Sequence, residues 1–157
     1  HADLLDDYLG ERYSHATVMR RVAEVVGGEN VYQLGIRSGA REEFEYGRAH
    51  THIFLHEVLR PLDKIARTLN GRPVYVTVDI DVVDPAYAPG TGTPEPGGCS
   101  SLELMEAIYL LRGLRVVGFD LVEVNPVYDL SGRTAVLAAK VIREMLLVWA
   151  NGARHRD

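Results

Sequence analysis

The residues best equipped for chemistry stand at the end of an apolar run. Val74-Tyr75-Val76-Thr77-Val78 leads straight into Asp79-Ile80-Asp81-Val82-Val83-Asp84-Pro85. Asp79 and Asp81 are separated by one residue, so in extended chain their carboxylates point the same way, roughly 7 Å apart. Two ionised carboxylates facing each other at a buried strand end repel and are costly without compensation. A metal ion supplies that compensation, and in open parallel sheets ligands sit just beyond the carboxyl ends of the strands. The plainer reading is a turn capped by Asp79, with Asp81 and Asp84 facing solvent. At the chain start, His1-Ala2-Asp3 repeats the spacing with one nitrogen and one oxygen donor. Imidazole plus carboxylates suits Mn, Fe, Co, Ni or Zn, and a carboxylate-rich set favours Mn over Zn. By itself, His-x-Asp also describes an ordinary surface turn.

Other side chains carry less on their own. His15 reads as a residue of a helix's first turn. Glu123 is more unusual, because an acid inside an apolar strand ordinarily needs a partner. His50, His52 and His56 fall across a helix end and a short strand rather than on one face, so they read as structural or exposed. Cys99 is the only cysteine, which excludes a disulfide framework within the chain and points to a reducing compartment. The formal net charge of -5, with Arg20-Arg21 as the densest basic spot, argues against a nucleic-acid binder. The acidic excess is compatible with a cationic substrate. No apolar run approaches the ~18 residues of a membrane span, and no signal peptide is recognisable. A cytoplasmic protein without a membrane partner is expected.

Along the chain that must hold these residues, β-rich runs alternate with amphipathic stretches. Residues 15–27 read as a helix, with Ser14 as N-cap and Gly27-Gly28 as the stop. Strands are expected at 31–36, 52–55, 74–78 and 116–124. Helices are expected at 41–49, 61–69, from Ser100 or Ser101 to about 112, and at 133–149. Such alternation implies βαβ units and a parallel sheet. The runs at 74–78 and 116–119 are apolar nearly throughout, which marks strands buried on both faces. The segment 82–99 holds Pro85, Pro89, Pro94 and Pro96 with several glycines, a long loop of the kind that is usually functional.

In combination these segments are no longer generic. His1-Ala2-Asp3, Tyr13-Ser14-His15-Ala16-Thr17, Gly35-Ile36-Arg37-Ser38, Asp79-Ile80-Asp81 with Asp84-Pro85, Ala88-Pro89-Gly90-Thr91-Gly92-Thr93-Pro94 and Val122-Glu123-Val124-Asn125-Pro126 occur in that order. Along essentially its whole length the chain resembles the agmatinase/arginase (ureohydrolase) family, most of all its agmatinases. The resemblance implies a three-layer αβα fold with a mostly parallel sheet, of which this chain would be the C-terminal portion, a single partial domain over 1–157. It implies two Mn ions bridged by a hydroxide that attacks the guanidinium carbon, releasing urea and an amine. By the same resemblance Asp79 would bridge both metals, His1 and Asp81 would ligate one, and Asp3 the other. Glu123 would pair with the substrate guanidinium, His15 would shuttle a proton, and Thr93 would help position the guanidinium or the hydroxide. A homo-oligomer is implied as well.

Departures from the pattern sharpen the expectation. Arginases read the substrate's α-carboxylate with an Asn where Leu5 stands, and its α-amino group with an Asp after the Gly-x-Arg strand, where Ser38-Gly39-Ala40 stands. Both differences favour a decarboxylated guanidine such as agmatine over arginine, with guanidinobutyrate as the alternative. The family's second motif also begins with an Asp-Ala pair ahead of His-x-Asp, and a further His ligand lies earlier. On that pattern the chain holds His1, Asp3, Asp79 and Asp81 of a larger ligand set, so by itself it is expected to be incomplete or an inactive fragment. A rival class remains: Val76-Thr77-Val78-Asp79-Ile80-Asp81-Val82-Val83 also fits a haloacid-dehalogenase-like phosphatase, with Asp79 as nucleophile, Asp81 as acid/base and Mg as cofactor. That motif normally opens its chain, and the only downstream Lys, Lys140, falls in the final helix.

Overall fold

The computed structural model describes residues 1–69 and 71–154, the last four of these as backbone. The chain divides into two compact units, His1–Glu57 and Val58–Asp157.

In the first unit, helix α1 (Val18–Val26) is followed by strand β1 (Tyr32–Ile36), helix α2 (Arg41–His50) and strand β2 (His52–Leu55). β1 and β2 pair in parallel, Tyr32 opposite His52 and Ile36 opposite Leu55. The crossover through α2 is the βαβ unit that the alternation predicts. The expected helix at 15–27 starts later than its sequence suggests. Ser14 does not cap it: Thr17 holds the N-cap position, and its hydroxyl accepts from Ser14 N at 2.9 Å and donates to Arg12 O at 2.8 Å. A local hydroxyl–backbone network competes with helix there, and His15 lies in the turn before the helix. The core joins Ala2, Leu4 and Ile36 with Met19, Phe44, Tyr46 and Ile53.

The second unit carries α3 (Leu59–Thr68), β3 (Pro73–Asp79), α4 (Ser101–Leu110), β4 (Arg115–Val122) and α5 (Arg133–Arg154). Ser100 and Glu103 close a capping box on α4: Ser100 Oγ accepts from Glu103 N at 3.2 Å, and Ser100 N donates to the Glu103 carboxylate at 2.7 Å. β3 and β4 run parallel in a register that sets Val78 against Leu121 and Asp79 against Val122. α5 packs on β4 and on α4, and α4 on α3. Their shared core includes Val78, Ile108, Val116, Val141 and Met145, all buried; each such side chain contributes about 1.5–3 kcal/mol over leaving it in water.

The strands at 73–79 and 115–122 are not buried on both faces. Tyr75 is 62% exposed and Val117 49%. The apolar reading of this run overlooked its alternation. Tyr75 and Thr77 share one face, where the Tyr75 hydroxyl donates to one Asp120 oxygen at 2.9 Å and the Thr77 hydroxyl to the other at 2.6 Å. The hydrogen bond from Tyr75 to the Asp120 carboxylate, first, and the charge there raise the phenol's pKa. Among the described residues no helix is long and apolar enough to cross a membrane.

Candidate metal and substrate site

The carboxyl end of the β3–β4 pair concentrates the second unit's candidate residues. Asp79 is the last residue of β3 and lies opposite Val122, the last of β4. Glu123 follows at once. Its φ is +64°, a left-handed conformation that is a genuine outlier for a bulky side chain and costs about 1–2 kcal/mol. Positive-φ residues of this kind cluster at functional sites, where surrounding structure holds them. The 88–94 loop reaches the same strand end, through an antiparallel bridge between Thr91 and Val124 and a 2.7 Å bond from Asn125 N to Gly90 O.

The chain does not stay extended through Asp81, so a separation drawn from extended chain does not apply. After Asp79 the backbone turns into a short 3-10 segment, Ile80–Val82, and the Asp79 carboxylate accepts from Asp81 N at 2.9 Å. A carboxylate hydrogen-bonding a backbone N–H two residues on is what Asp does at turns. Asp79 therefore caps a turn, as the plainer reading has it, but Asp81 does not face solvent: it is 2% exposed. Asp84 ties the loop base. Its Oδ1 accepts from Ala86 N at 2.9 Å, and its Oδ2 from Gly97 N at 2.8 Å and Gly98 N at 3.3 Å. The two ends of the loop meet in a bridge between Val83 and Cys99. Gly98 is required there, since a Cβ would stand 2.5 Å from Asp84 N. Thr93 is exposed on this loop.

In the first unit, His1-Ala2-Asp3 is held by the backbone around it. Ala2 N donates to Ser38 O at 3.0 Å, and Asp3 O accepts from Met19 N and Arg20 N at the start of α1, at 3.0 and 3.3 Å. Asp3, like Glu123, has a positive φ, +54°. His15 is exposed and meets the Tyr8 ring edge-on at 5.4 Å. His50 packs on Tyr46 and His52 stacks on Tyr32, each at 4.5 Å, and all three of His50, His52 and His56 are exposed. They are structural or surface residues, as expected.

Several contributors escaped the sequence reading. Glu43, 5% exposed, accepts from Leu4 N at 2.8 Å and Ala40 N at 2.6 Å, so one buried carboxylate joins the start of α2 to the His-x-Asp segment. A Glu at the third helical position was the available signal; its long-range partner left none. Gln33 Nε2 donates to Ala2 O at 2.7 Å. Thr91, 1% exposed, has a buried hydroxyl with no hydrogen-bond partner among the described residues.

As metal donors, the four expected residues are right in kind: one imidazole and three carboxylates, an oxygen-rich set suited to a divalent transition metal. Each unit supplies two of them, and among the described residues no group of three or more His, Cys, Asp or Glu is placed to hold an ion.

The chain matches the Arginase family over residues 1–148 and belongs to it. Its relatives narrow the likeness. Over 152 residues it is 53% identical to the agmatinase of Bacillus anthracis, covering 95% of this chain and 52% of that protein. Over 159 residues it is 40% identical to the guanidinobutyrase of Pseudomonas aeruginosa, covering 94% of this chain and 50% of that one. The crystal structure of agmatine ureohydrolase of Thermoplasma volcanium matches with a TM-score of 0.84 at 36% identity, over 100% of this chain and 55% of that one. The chain thus spans about half the length of the relatives it matches. The α/β class and arginase-type fold expected from the sequence stand, and family membership sets the phosphatase reading aside.

Proposed function

We propose that the chain is part of a metal-dependent ureohydrolase that cleaves agmatine to putrescine and urea. The observation that carries the reading is Glu123: an acid held at φ +64° immediately past the β4 residue that pairs with Asp79. Glu123 is exposed at the carboxyl end of the strand pair, where its carboxylate is open to a planar cation. Its carboxylate accepts two parallel N–H bonds from a guanidinium. Asp79 and Asp81, with His1 and Asp3, are the proposed metal donors, and the carboxylate-rich set favours Mn. When bound, the metal supplies a water whose pKa is low enough to give a nucleophile near neutral pH. His15, exposed beside Tyr8, is the proposed proton carrier. Thr93 orients the guanidinium from the loop. Leu5 and Ser38-Gly39-Ala40, in place of groups that would read an amino acid's head, support a substrate lacking it. A cytoplasmic homo-oligomer with no nucleic-acid or membrane partner completes the proposal.

Calorimetric titration of the metal-loaded chain with agmatine and with guanidinobutyrate tests it. Agmatine binding that weakens at least ~10-fold in Glu123→Gln, as loss of a charged hydrogen-bonding partner requires, supports the reading. No binding, or binding indifferent to Glu123, overturns it, and a preference for guanidinobutyrate moves the substrate to the other named guanidine.

A further inference from the structure

The loop and Glu123 are joined through one small residue. Gly90 N donates to Thr134 Oγ1 at 2.8 Å in a buried contact, and Gly90 O accepts from Asn125 N at 2.7 Å. A Cβ on Gly90 would fall 2.6 Å from the Asp129 Cβ and 3.0 Å from the Thr134 Cβ, so only glycine lets these segments approach this closely. Thr134, at 0% exposure, sits in the first turn of α5, and its own N–H donates to Asp129 Oδ2 at 2.6 Å. Asp129 Oδ1 in turn accepts from Ser131 N at 3.2 Å and Ser131 Oγ at 2.7 Å. Burial pushes the Asp129 carboxyl up, but the bonds from Ser131 and Thr134 outweigh it and hold its pKa at about 2. These bonds favour the anionic form of Asp129.

We infer that Thr134 and Asp129 are positioning residues for the substrate end: through Gly90 they lock the 89–94 loop to Asn125 and so hold Glu123 in its left-handed conformation beside that loop. The inference rests on the proposed role of Glu123 for its functional meaning, though not for its structural content. None of the clamping atoms belongs to the proposed metal donors. The chain of contacts runs from the start of α5 to Gly90, then to Asn125, two residues after Glu123. Thr91 follows Gly90 directly and bridges Val124, so the clamp grips both sides of the loop–strand junction. Thr134→Val keeps the branched shape and removes only the hydroxyl, which leaves the buried Gly90 N–H without an acceptor.

The experiment compares the full 157-residue chain with Thr134→Val, Thr134→Ser and the milder Ser131→Ala. NMR reads three things: hydrogen exchange at Gly90 and Asn125, the Glu123 backbone shifts and scalar coupling that report φ, and agmatine affinity. Thr134→Val is expected to speed Gly90 exchange about tenfold, the equivalent of one lost buried hydrogen bond, to shift Glu123 toward negative φ, and to weaken agmatine about tenfold. Thr134→Ser restores all three, and Ser131→Ala moves them in the same direction by less. Should Thr134→Val not fold, Ser131→Ala alone decides, by whether Glu123 responds together with Gly90. An unchanged Glu123 φ alongside faster Gly90 exchange overturns the positioning role, as does a lost hydroxyl that leaves Gly90 protected. If the unsubstituted chain takes up no agmatine, the proposed function fails, while the Glu123 backbone readout still settles the clamp.

Discussion

Two of the four non-glycine residues with positive φ among the described residues, Asp3 and Glu123, are held by different means. Asp3 is fixed at φ +54° among backbone partners from β1's end and α1's start, with a buried carboxylate, Glu43, gripping the next N–H. Glu123 is fixed at φ +64° by a loop that crosses it, with a glycine at the crossing and a hydroxyl as the clip. The first arrangement places a charge inside the unit and makes two backbone donors depend on it. The second uses small groups and close approach, and keeps its charge, Asp129, one step back. Strain of about 1–3 kcal/mol can persist under either arrangement, but they should fail differently: the charged one abruptly, the close-packed one by degrees.

The largest effect is expected from Glu43→Ala. Leaving the buried Leu4 N without an acceptor costs about 1–3 kcal/mol, and losing the part-buried bond from Ala40 N about 0.5–1.5 kcal/mol, so denaturant titration should show the first unit weakened by about 1.5–4.5 kcal/mol. A loss well under ~1 kcal/mol would break the view that this carboxylate holds the segment. A smaller and opposite change is expected from Glu123→Gly. Glycine occupies the left-handed region freely, so the variant should gain up to ~1 kcal/mol of stability, while agmatine affinity falls about 10- to 100-fold. A variant that loses stability would show that Glu123 makes favourable contacts outweighing its conformation. The smallest effect is a pH dependence. Asp129 is depressed from 3.8 to about 2 in the folded state, so its stabilisation is complete above about pH 4 and is lost as pH falls toward 2. Asp129→Asn should remove that acid limb from the unfolding profile and leave the profile between pH 5 and 9 flat by comparison.

Much of this architecture was legible in local pattern. Ser100 was one of two candidate caps for α4 and holds that place, the helices at 41–50 and 59–68 were found within a residue or two, and Asp79 was recognisable at a strand's end. Three features were not. The turn after Asp79 was hidden because the residue types there also suit an extended strand, where Asp79 instead bends the chain. The exposure of Tyr75 was missed because it was counted as apolar, although its alternation with Val74 and Val76 was in plain view. The pairings of Glu43 with Leu4 and of Thr134 with Gly90 join residues 39 and 44 positions apart, and no window of sequence shows a contact of that range. Residue type could therefore nominate His1, Asp3, Asp79, Asp81 and Glu123, but not what restrains them.

The closure of the long loop has a kinetic side. Cys99, the chain's only thiol, is buried at the loop's base, where its N–H donates to Val82 O and its carbonyl accepts from Asp84 N. A reagent can reach the sulfur only after that base parts, so the rate of thiol labelling is a clock for the opening event. When reclosing outpaces labelling, the observed rate divided by that of a free thiol gives the open fraction directly. A single native atom thus reports how often the segment carrying Thr91 and Thr93 lets go of the strand ends it serves.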